Sequence, residues 1–315
     1  MHLYETVIKE IDDSYLDVKI FHLLFNVTLP PFEPGSHIDV KVHVGDRVEI
    51  RSYSVVKVLD ETTLAIAVRR LVNSRGGSEY MHSLSVGNRL ECTLPANHFQ
   101  LSLQASEYLL IAGGIGVTPI IGMARLLKKC LLPFRFIYLG RSRRSMPFIK
   151  EMESEFPEEL SVFADNESGQ ADFGKLIAPL HSNGEAYVCG PVPMMEAIRK
   201  SWNLDQRKAE RIRFETFGGA GIKPSELFRV VVPSRGLDIE VPANKTLLDV
   251  LNEQGAEPLF SCLRGECGVC LVDIVTLEGE LDHRDVFLSS RQKDDNKQLC
   301  ACVSRATGSI TLELP

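Results

Sequence analysis

The chain has 315 residues, 44% of them hydrophobic, enough for two or three packed cores of about 100 residues each. Its 35 Lys and Arg stand against 42 Asp and Glu, a formal net charge of -7, which argues against nucleic acid or an anionic membrane surface as the main partner. No apolar run reaches the roughly eighteen residues of a membrane helix, and "MHLYETVIKEIDD" lacks the basic start and apolar run of a secretory signal, so a cytoplasmic protein with eight reduced cysteines is expected.

The first hundred residues alternate as strands. "HIDVKVHV", "RVEIRSYSVVKVL" and "TLAIAVRRLV" are period-two or β-branched runs broken by "PPFEPGS", "DET" and "SRGGS", which predicts an antiparallel β-barrel. Within it, "RSYS" puts Arg51, Tyr53 and Ser54 on one strand. "SRGGS" follows with Arg75, Gly76, Gly77 and Ser78. An arginine fork, backbone N–H groups freed by glycine and a hydroxyl are the parts of a phosphate cradle.

From Glu107 the rhythm changes. Apolar strands "YLLIAGG", "FRFIYLG", "LSVFADN" and "EAYVCGP" alternate with helical "TPIIGMARLLKKC", "SMPFIKEMESEF" and "VPMMEAIRKSWN", the pattern of right-handed crossovers on a parallel sheet. In "AGGIGVTP", Gly113, Gly114 and Gly116 let the backbone approach a pyrophosphate, and Thr118 opens a helix whose free N–H groups favour anions. This is not the G-x-G-x-x-G fingerprint, and a glycine turn between strand and helix is often only structural. A second crossing, Cys189-Gly190-Pro191, reaches the same carboxyl edge, and two such turns at one edge predict a dinucleotide cleft. Asp165, at the end of "LSVFA", is placed to accept ribose hydroxyls and to repel a 2′-phosphate, which favours NADH. Arg143 and Arg144 in "GRSRRS" pull towards NADPH.

A glycine-rich stretch, "FGGAGIKPSE", precedes a third segment of strands with one helix at "TLLDVLNEQG". The expected domains are 1–103, 104–224 and 225–315. The third carries Cys262-x4-Cys267-x2-Cys270 and later Cys300 and Cys302. Spacing of this kind belongs to plant-type ferredoxins, in which four thiolates hold a [2Fe–2S] cluster. A zinc knuckle, with two close ligand pairs, fits the four-residue gap poorly. Read as positions two apart on a strand, Cys300 and Cys302 face the same side, and either serves as the fourth ligand. Cys92 and Cys130 are isolated, as buried thiols usually are.

Taken together, the chain resembles the phthalate dioxygenase reductase family of three-domain iron–sulfur flavoproteins serving Rieske-type oxygenases. The matching motifs are "RSYS", "SRGGS", "AGGIGVTP", "CGP", "CLRGECGVC", "CVSRA" and, near the cluster, "GELDHRD" (Gly279 to Asp285). The resemblance implies a β-barrel flavin domain, an α/β nucleotide domain and a β-grasp ferredoxin domain. With the ferredoxin at the C-terminus it implies FMN. It places Arg51, Tyr53 and Ser54 at the flavin, with the backbone of Ala67, Val68 and Arg69 lining it, and Arg75, Gly76, Gly77 and Ser78 around its phosphate. Thr118 lies near the ring, and Phe217 in "FETFG" covers the flavin face. Cys302 becomes the fourth cluster ligand.

The function implied is transfer of electrons from NADH through FMN and a [2Fe–2S] cluster to a separate terminal oxygenase of Rieske type, docking around Leu263, Arg264 and Glu266. Hydride brings two electrons, the cluster takes one, and a flavin handles both numbers. No general acid or base is needed. A reductase for a cytochrome P450 or another acceptor uses the same parts, and a redox-sensing interaction protein is a rival of a different class.

Overall fold

The computed structural model describes residues 2–71, 76–169, 171–217 and 225–314. Two compact units divide the chain, one of residues 1–190 with 197–215, the other of 191–196 with 216–315.

In the first unit, strands β1 (Tyr4–Tyr15), β2 (Val18–Phe25), β3 (Ser36–Val44), β4 (Arg47–Val58), β5 (Thr63–Arg69) and β6 (Arg89–Cys92) pair antiparallel in the order β4-β5-β2-β1-β6-β3. Pairing of β3 with β4 closes this into a six-stranded barrel. The short β7 (Ala96–Asn97) adds to β3, and α1 (Gly77–Ser83) follows β5. The barrel interior is filled by alternate residues such as Ile8, Phe21, Leu23, Ile38, Val40, Leu64 and Ile66. In β5 the other register is also apolar. Ala65 and Ala67 face out of the barrel and join Val18, Ile20 and Val56 in a second core shared with the parallel sheet. Covered on both sides, β5 therefore reads as an unbroken apolar run instead of an alternation.

The parallel sheet comprises β8 (Tyr108–Gly113), β9 (Phe134–Gly140), β10 (Leu160–Ala164), β11 (Glu185–Cys189) and β12 (Ile212–Glu215), in the order β10-β9-β8-β11-β12. Helices α2 (Val117–Lys129), α3 (Ile149–Glu155), α4 (Asp165–Ser168), α5 (Phe173–Ile177) and α6 (Val192–Leu204) lie between the strands in sequence. After β8 the chain builds outward through β9 and β10, then returns to place β11 on the other side of β8. The order reverses between β8 and β11, and ligands of open α/β sheets bind at such a point.

In the second unit, β13 (Phe228–Val232), β14 (Leu237–Val241), β15 (Leu271–Glu278), β17 (Gln298–Cys300) and β19 (Ser309–Glu313) form a mixed sheet, order β14-β13-β19-β15-β17. Helix α7 (Leu247–Glu253) packs Leu247, Leu248, Val250 and Leu251 into the same core as Phe228, Val230, Ile310 and Leu312. Thr246 caps it, accepting the Asp249 N–H at 3.0 Å. A small sheet pairs β16 (Leu281–Asp282) with β18 (Arg305–Ala306). This β-grasp unit holds a second helix that the sequence reading lacked, α8 (Ser290–Asp295). Its signal was present as a capping box, in which Ser289 and Gln292 each take the other's backbone N–H, at 3.3 and 3.1 Å.

Candidate functional site

In the barrel, β4 and β5 pair only between Val55/Ile66 and Val58/Leu64. Towards Arg51 the two strands part. Arg51, Tyr53 and Ser54 pair with β3 alone, opposite Val40, Ile38 and His37, and Ala67, Val68 and Arg69 pair with β2 alone, opposite Ile20, Lys19 and Val18. The parting leaves one backbone edge of each segment free of ladder partners, where a flat polar ring could take the hydrogen bonds that the ladder leaves open. Tyr53 is half-buried in this opening, and burial pushes its phenol up, keeping it neutral.

Arg51 lies against the start of α1. A Cβ added at Gly77 would stand 2.8 Å from Arg51 Nε, so the glycine lets the Arg51 side chain lie against the helix start in its present position. Arg51 is bonded to the Glu49 carboxylate and, at 2.9 Å, to its own strand's Ile50 carbonyl. Gly76 adopts a left-handed φ of 98°, and the buried Ser78 accepts the Leu71 N–H at 3.2 Å. Arg75 lies outside the described residues.

At the sheet's carboxyl edge the two nucleotide motifs touch. Cys189 pairs with Ala112 across β11 and β8, and a Cβ at Gly116 would stand 2.2 Å from the Cys189 carbonyl oxygen and 2.8 Å from the Gly190 nitrogen. Gly114 takes a φ of 55°, with the Arg69 guanidinium close by, since a Cβ there would lie 3.6 Å from Arg69 Nη1. Thus the end of β5 and the glycine turn after β8 converge. Tyr138, unremarked in the sequence, secures that turn by donating to the Gly114 carbonyl at 3.2 Å. Thr118 is buried and donates to the Ile115 carbonyl at 3.0 Å, so it shapes the turn with its hydroxyl. Pro191 is exposed ahead of α6, and its carbonyl accepts the Met195 N–H at 3.1 Å. Asp165 is exposed at the start of α4. Arg143 is occupied, bonding Glu153 at 2.5 Å and Glu167 at 3.2 Å.

In the second unit the cysteines form two pairs. The Cys262 and Cys267 thiols hydrogen-bond one another, and Cys270 Sγ lies 3.2 Å from Cys302 Sγ. The Arg264 and Glu266 N–H groups each point at Cys262 Sγ from 3.4 Å. This inward turning of amides is made by Leu263, at φ 56°, and Gly265, at φ 74°. The neighbouring Cys300 and Cys302 thiols, hydrogen-bonded to Cys270, hold it well below the ordinary thiol range. Among the described residues no three Cys, His, Asp or Glu side chains gather around a single metal ion. Two thiol pairs joined by one loop instead suit a two-iron centre with two thiolates on each iron.

Two sequence expectations change here. Cys302 is not on a strand. The chain turns after Cys300, whose carbonyl takes the Val303 and Ser304 N–H groups at 3.2 and 2.9 Å, so the same-side argument does not apply. The turn brings Cys302 to the Gly265 backbone, which hydrogen-bonds it, while Cys300 is fully buried and interacts with Asp285. Arg264 and Glu266 are not surface charges. Arg264 is 8% exposed and pairs with Glu266 at 3.3 Å, and Glu266 accepts the Thr216 N–H at 2.6 Å. The exposed rim of the loop is apolar, made by Phe260, Leu263, Val269 and Phe287. Phe217, 41% exposed, follows Thr216. Arg305 of "CVSRA" is structural: buried, it donates to the carbonyls of Lys245, Glu226 and Pro242 at 2.6, 2.8 and 3.0 Å.

Residues 231–307 match the 2Fe-2S iron-sulfur cluster binding domain family. Over 97% of this chain and 97% of that protein, the sequence is 33% identical to the vanillate O-demethylase oxidoreductase of Acinetobacter baylyi. To the phthalate dioxygenase reductase of Burkholderia cepacia it is 34% identical, over 91% of this chain and 89% of that protein. The chain belongs to the phthalate dioxygenase reductase family. A solved phthalate dioxygenase reductase, described as a modular structure for electron transfer from pyridine nucleotides to [2Fe-2S], superposes with a TM-score of 0.77 at 31% identity, covering 99% of this chain and 98% of that one.

That relative passes electrons from pyridine nucleotides to a [2Fe–2S] cluster, and other relatives are reductase subunits of a carnitine monooxygenase and a phthalate 4,5-dioxygenase. The residues present fit the three groups expected from the sequence. The Arg51 guanidinium against the glycine that starts α1 fits a phosphate, the two touching glycine turns fit a dinucleotide, and the paired thiols fit the cluster. No helix among the described residues is long and apolar enough to cross a membrane.

Proposed function

We propose that this chain is the cytoplasmic reductase of a Rieske-type oxygenase, built as a flavin domain (1–103), a nucleotide domain (104–224) and a ferredoxin domain (225–315). When bound, the flavin supplies the conversion between the electron pair of a hydride and the single electrons that an iron–sulfur centre accepts. The chain's own work is positioning. Arg51, Arg75, Gly76, Gly77 and Ser78 hold the flavin phosphate, while Tyr53, Ser54 and the backbone of Ala67, Val68 and Arg69 orient the ring. Gly113, Gly114, Gly116, Thr118, Cys189, Gly190 and Pro191 seat the dinucleotide, Asp165 takes the ribose, and Phe217 covers the nicotinamide side of the flavin.

Cys262, Cys267, Cys270 and Cys302 hold the cluster, and the rim of Phe260, Leu263, Val269 and Phe287 receives the oxygenase. The observation that carries the reading is the arrangement of thiols in two pairs, with loop amides aimed at Cys262. It calls for one-electron output, which a simple NADH-to-flavin enzyme does not require. The test uses the full chain. Cys267→Ala should lose the cluster's visible absorbance, keep NADH-driven reduction of ferricyanide, and lose turnover with the oxygenase. Wild-type oxygenase turnover by a cluster-free Cys267→Ala protein would overturn the assigned route.

A further inference from the structure

The "GELDHRD" segment has no part in the roles above, yet its last residue lies against the cysteine loop. Asp285 is 0% exposed. A Cβ added at Gly265 would stand 2.9 Å from Asp285 Cα and 2.6 Å from Val303 Cγ2, and the Val286 N–H donates to the Gly265 carbonyl at 3.0 Å. Asp285 therefore sits between the loop that carries Cys262, Cys267 and Cys270 and the turn that carries Cys302.

Its carboxylate is held in place on both oxygens. Oδ1 accepts the Leu288 N–H at 2.7 Å, and Oδ2 accepts the Ser304 hydroxyl at 3.4 Å, with His283 Nδ1 at 3.6 Å. The neighbouring Lys293 bonds the Asp285 carbonyl oxygen at 2.6 Å. Placing an ionised carboxylate in a protein interior costs several kcal/mol unless it is paired, and Asn, of the same shape, could accept the Leu288 N–H through its oxygen and turn its NH2 group to the Ser304 hydroxyl oxygen. A spacer alone has no need of the charge.

We propose that Asp285 is a positioning residue that also sets the reduction potential of the iron–sulfur centre, by fixing one negative charge behind the cysteine loop. This rests on the reading that the four cysteines hold a [2Fe–2S] cluster. Reduction adds one electron to the centre and takes one from the flavin. A fixed negative charge within a low-dielectric interior opposes that electron, so the carboxylate lowers the potential and favours onward transfer. His283 and Ser304 hold the carboxylate in place, and Arg284, bonded to Asp282 at 2.7 Å and to the Ser225 hydroxyl at 3.0 Å, anchors the segment that carries it.

The test is a potentiometric titration of the full-length holoprotein, followed by the electron paramagnetic resonance signal of the reduced cluster. Asp285→Asn keeps the shape and removes the charge. It should keep the iron content and visible spectrum and shift the one-electron equilibrium about tenfold towards the reduced form, a midpoint rise of about 59 mV. Ser304→Ala strips a donor from the carboxylate, leaves the charge less compensated, and should move the midpoint the other way. An intact cluster with an unmoved midpoint in Asp285→Asn overturns the proposal. So does failure of Asp285→Asn to assemble a cluster together with an unmoved midpoint in Ser304→Ala, because that pair of results makes Asp285 structural only. Failure of the underlying reading shows separately, as wild-type protein without iron–sulfur absorbance.

Discussion

The opening between β4 and β5 in the barrel and the cysteine loop in the β-grasp unit are built on opposite principles. The opening is made by backbone that stops pairing, where β4 and β5 part beyond Val55 and Ile66. The loop is made by side chains of one kind at fixed intervals, with the backbone bent to serve them. A site of the first type tolerates many residues and depends on where two strands separate. A site of the second type is intolerant of substitution and indifferent to much of the surrounding sheet.

The sharpest way to test that contrast is to replace each of two neighbouring cysteines in the second site by serine in turn. Cys302→Ser should abolish the cluster's visible absorbance, and Cys300→Ser should largely preserve it. Cys302 is hydrogen-bonded by the Gly265 backbone and lies 3.2 Å from Cys270, whereas Cys300, which also reaches Cys270, is the more deeply buried of the two. Loss of iron and sulfide from the Cys300 variant alone would reverse the assignment.

The next effect belongs to a backbone site. In Gly116→Ala the new Cβ meets a carbonyl oxygen and not a flexible side chain, so β8 and β11 must separate to accommodate it. A displacement of this order in a hydride-transfer site costs about 100-fold. Stopped-flow flavin reduction by NADH should slow by about that factor with the cluster spectrum unchanged. A wild-type rate would show that the two turns do not form one nucleotide site. A smaller effect is expected at Arg51, whose charge-assisted contact is worth about 1.5–3 kcal/mol. Arg51→Gln should weaken FMN binding roughly 10- to 100-fold in titrations of the flavin-free protein, and unchanged affinity would remove Arg51 from the phosphate site.

How much could be read in advance follows from the same contrast. The gathering of Cys262, Cys267 and Cys270 on one loop was legible because their close spacing alone puts them there. The barrel and the parallel sheet were legible from their periodicities, down to the crossing of Gly116 with Cys189 at one edge. The parting of β4 and β5 was not, because "RVEIRSYSVVKV" alternates smoothly through the point where its partner leaves. Arg264 and Glu266 look like surface charges in any sequence, and only the fold pairs them with each other and with Thr216. Helix α8 was missed although Ser289 and Gln292 stand at capping-box spacing, since six polar residues carry no apolar period.

The smallest effect concerns nucleotide choice, and here the structure narrows an ambiguity that the sequence left. Asp165 and Arg143 pull in opposite directions, the carboxylate towards NADH and the guanidinium towards a 2′-phosphate. In the fold Arg143 is bonded to two carboxylates, Glu153 and Glu167, so its charge is already compensated. Asp165 is exposed at the end of β10, where it meets the ribose in the proposed pose. Exposed charges interact by about 1 kcal/mol, which corresponds to roughly fivefold in specificity. Asp165→Ser should therefore reduce the kcat/KM preference for NADH over NADPH by about that factor, whereas Arg143→Gln should leave the ratio within twofold or so. If Arg143→Gln moves the ratio and Asp165→Ser does not, the arginine reads the nucleotide in spite of its two partners, and the ribose site lies on the β9 side of the edge.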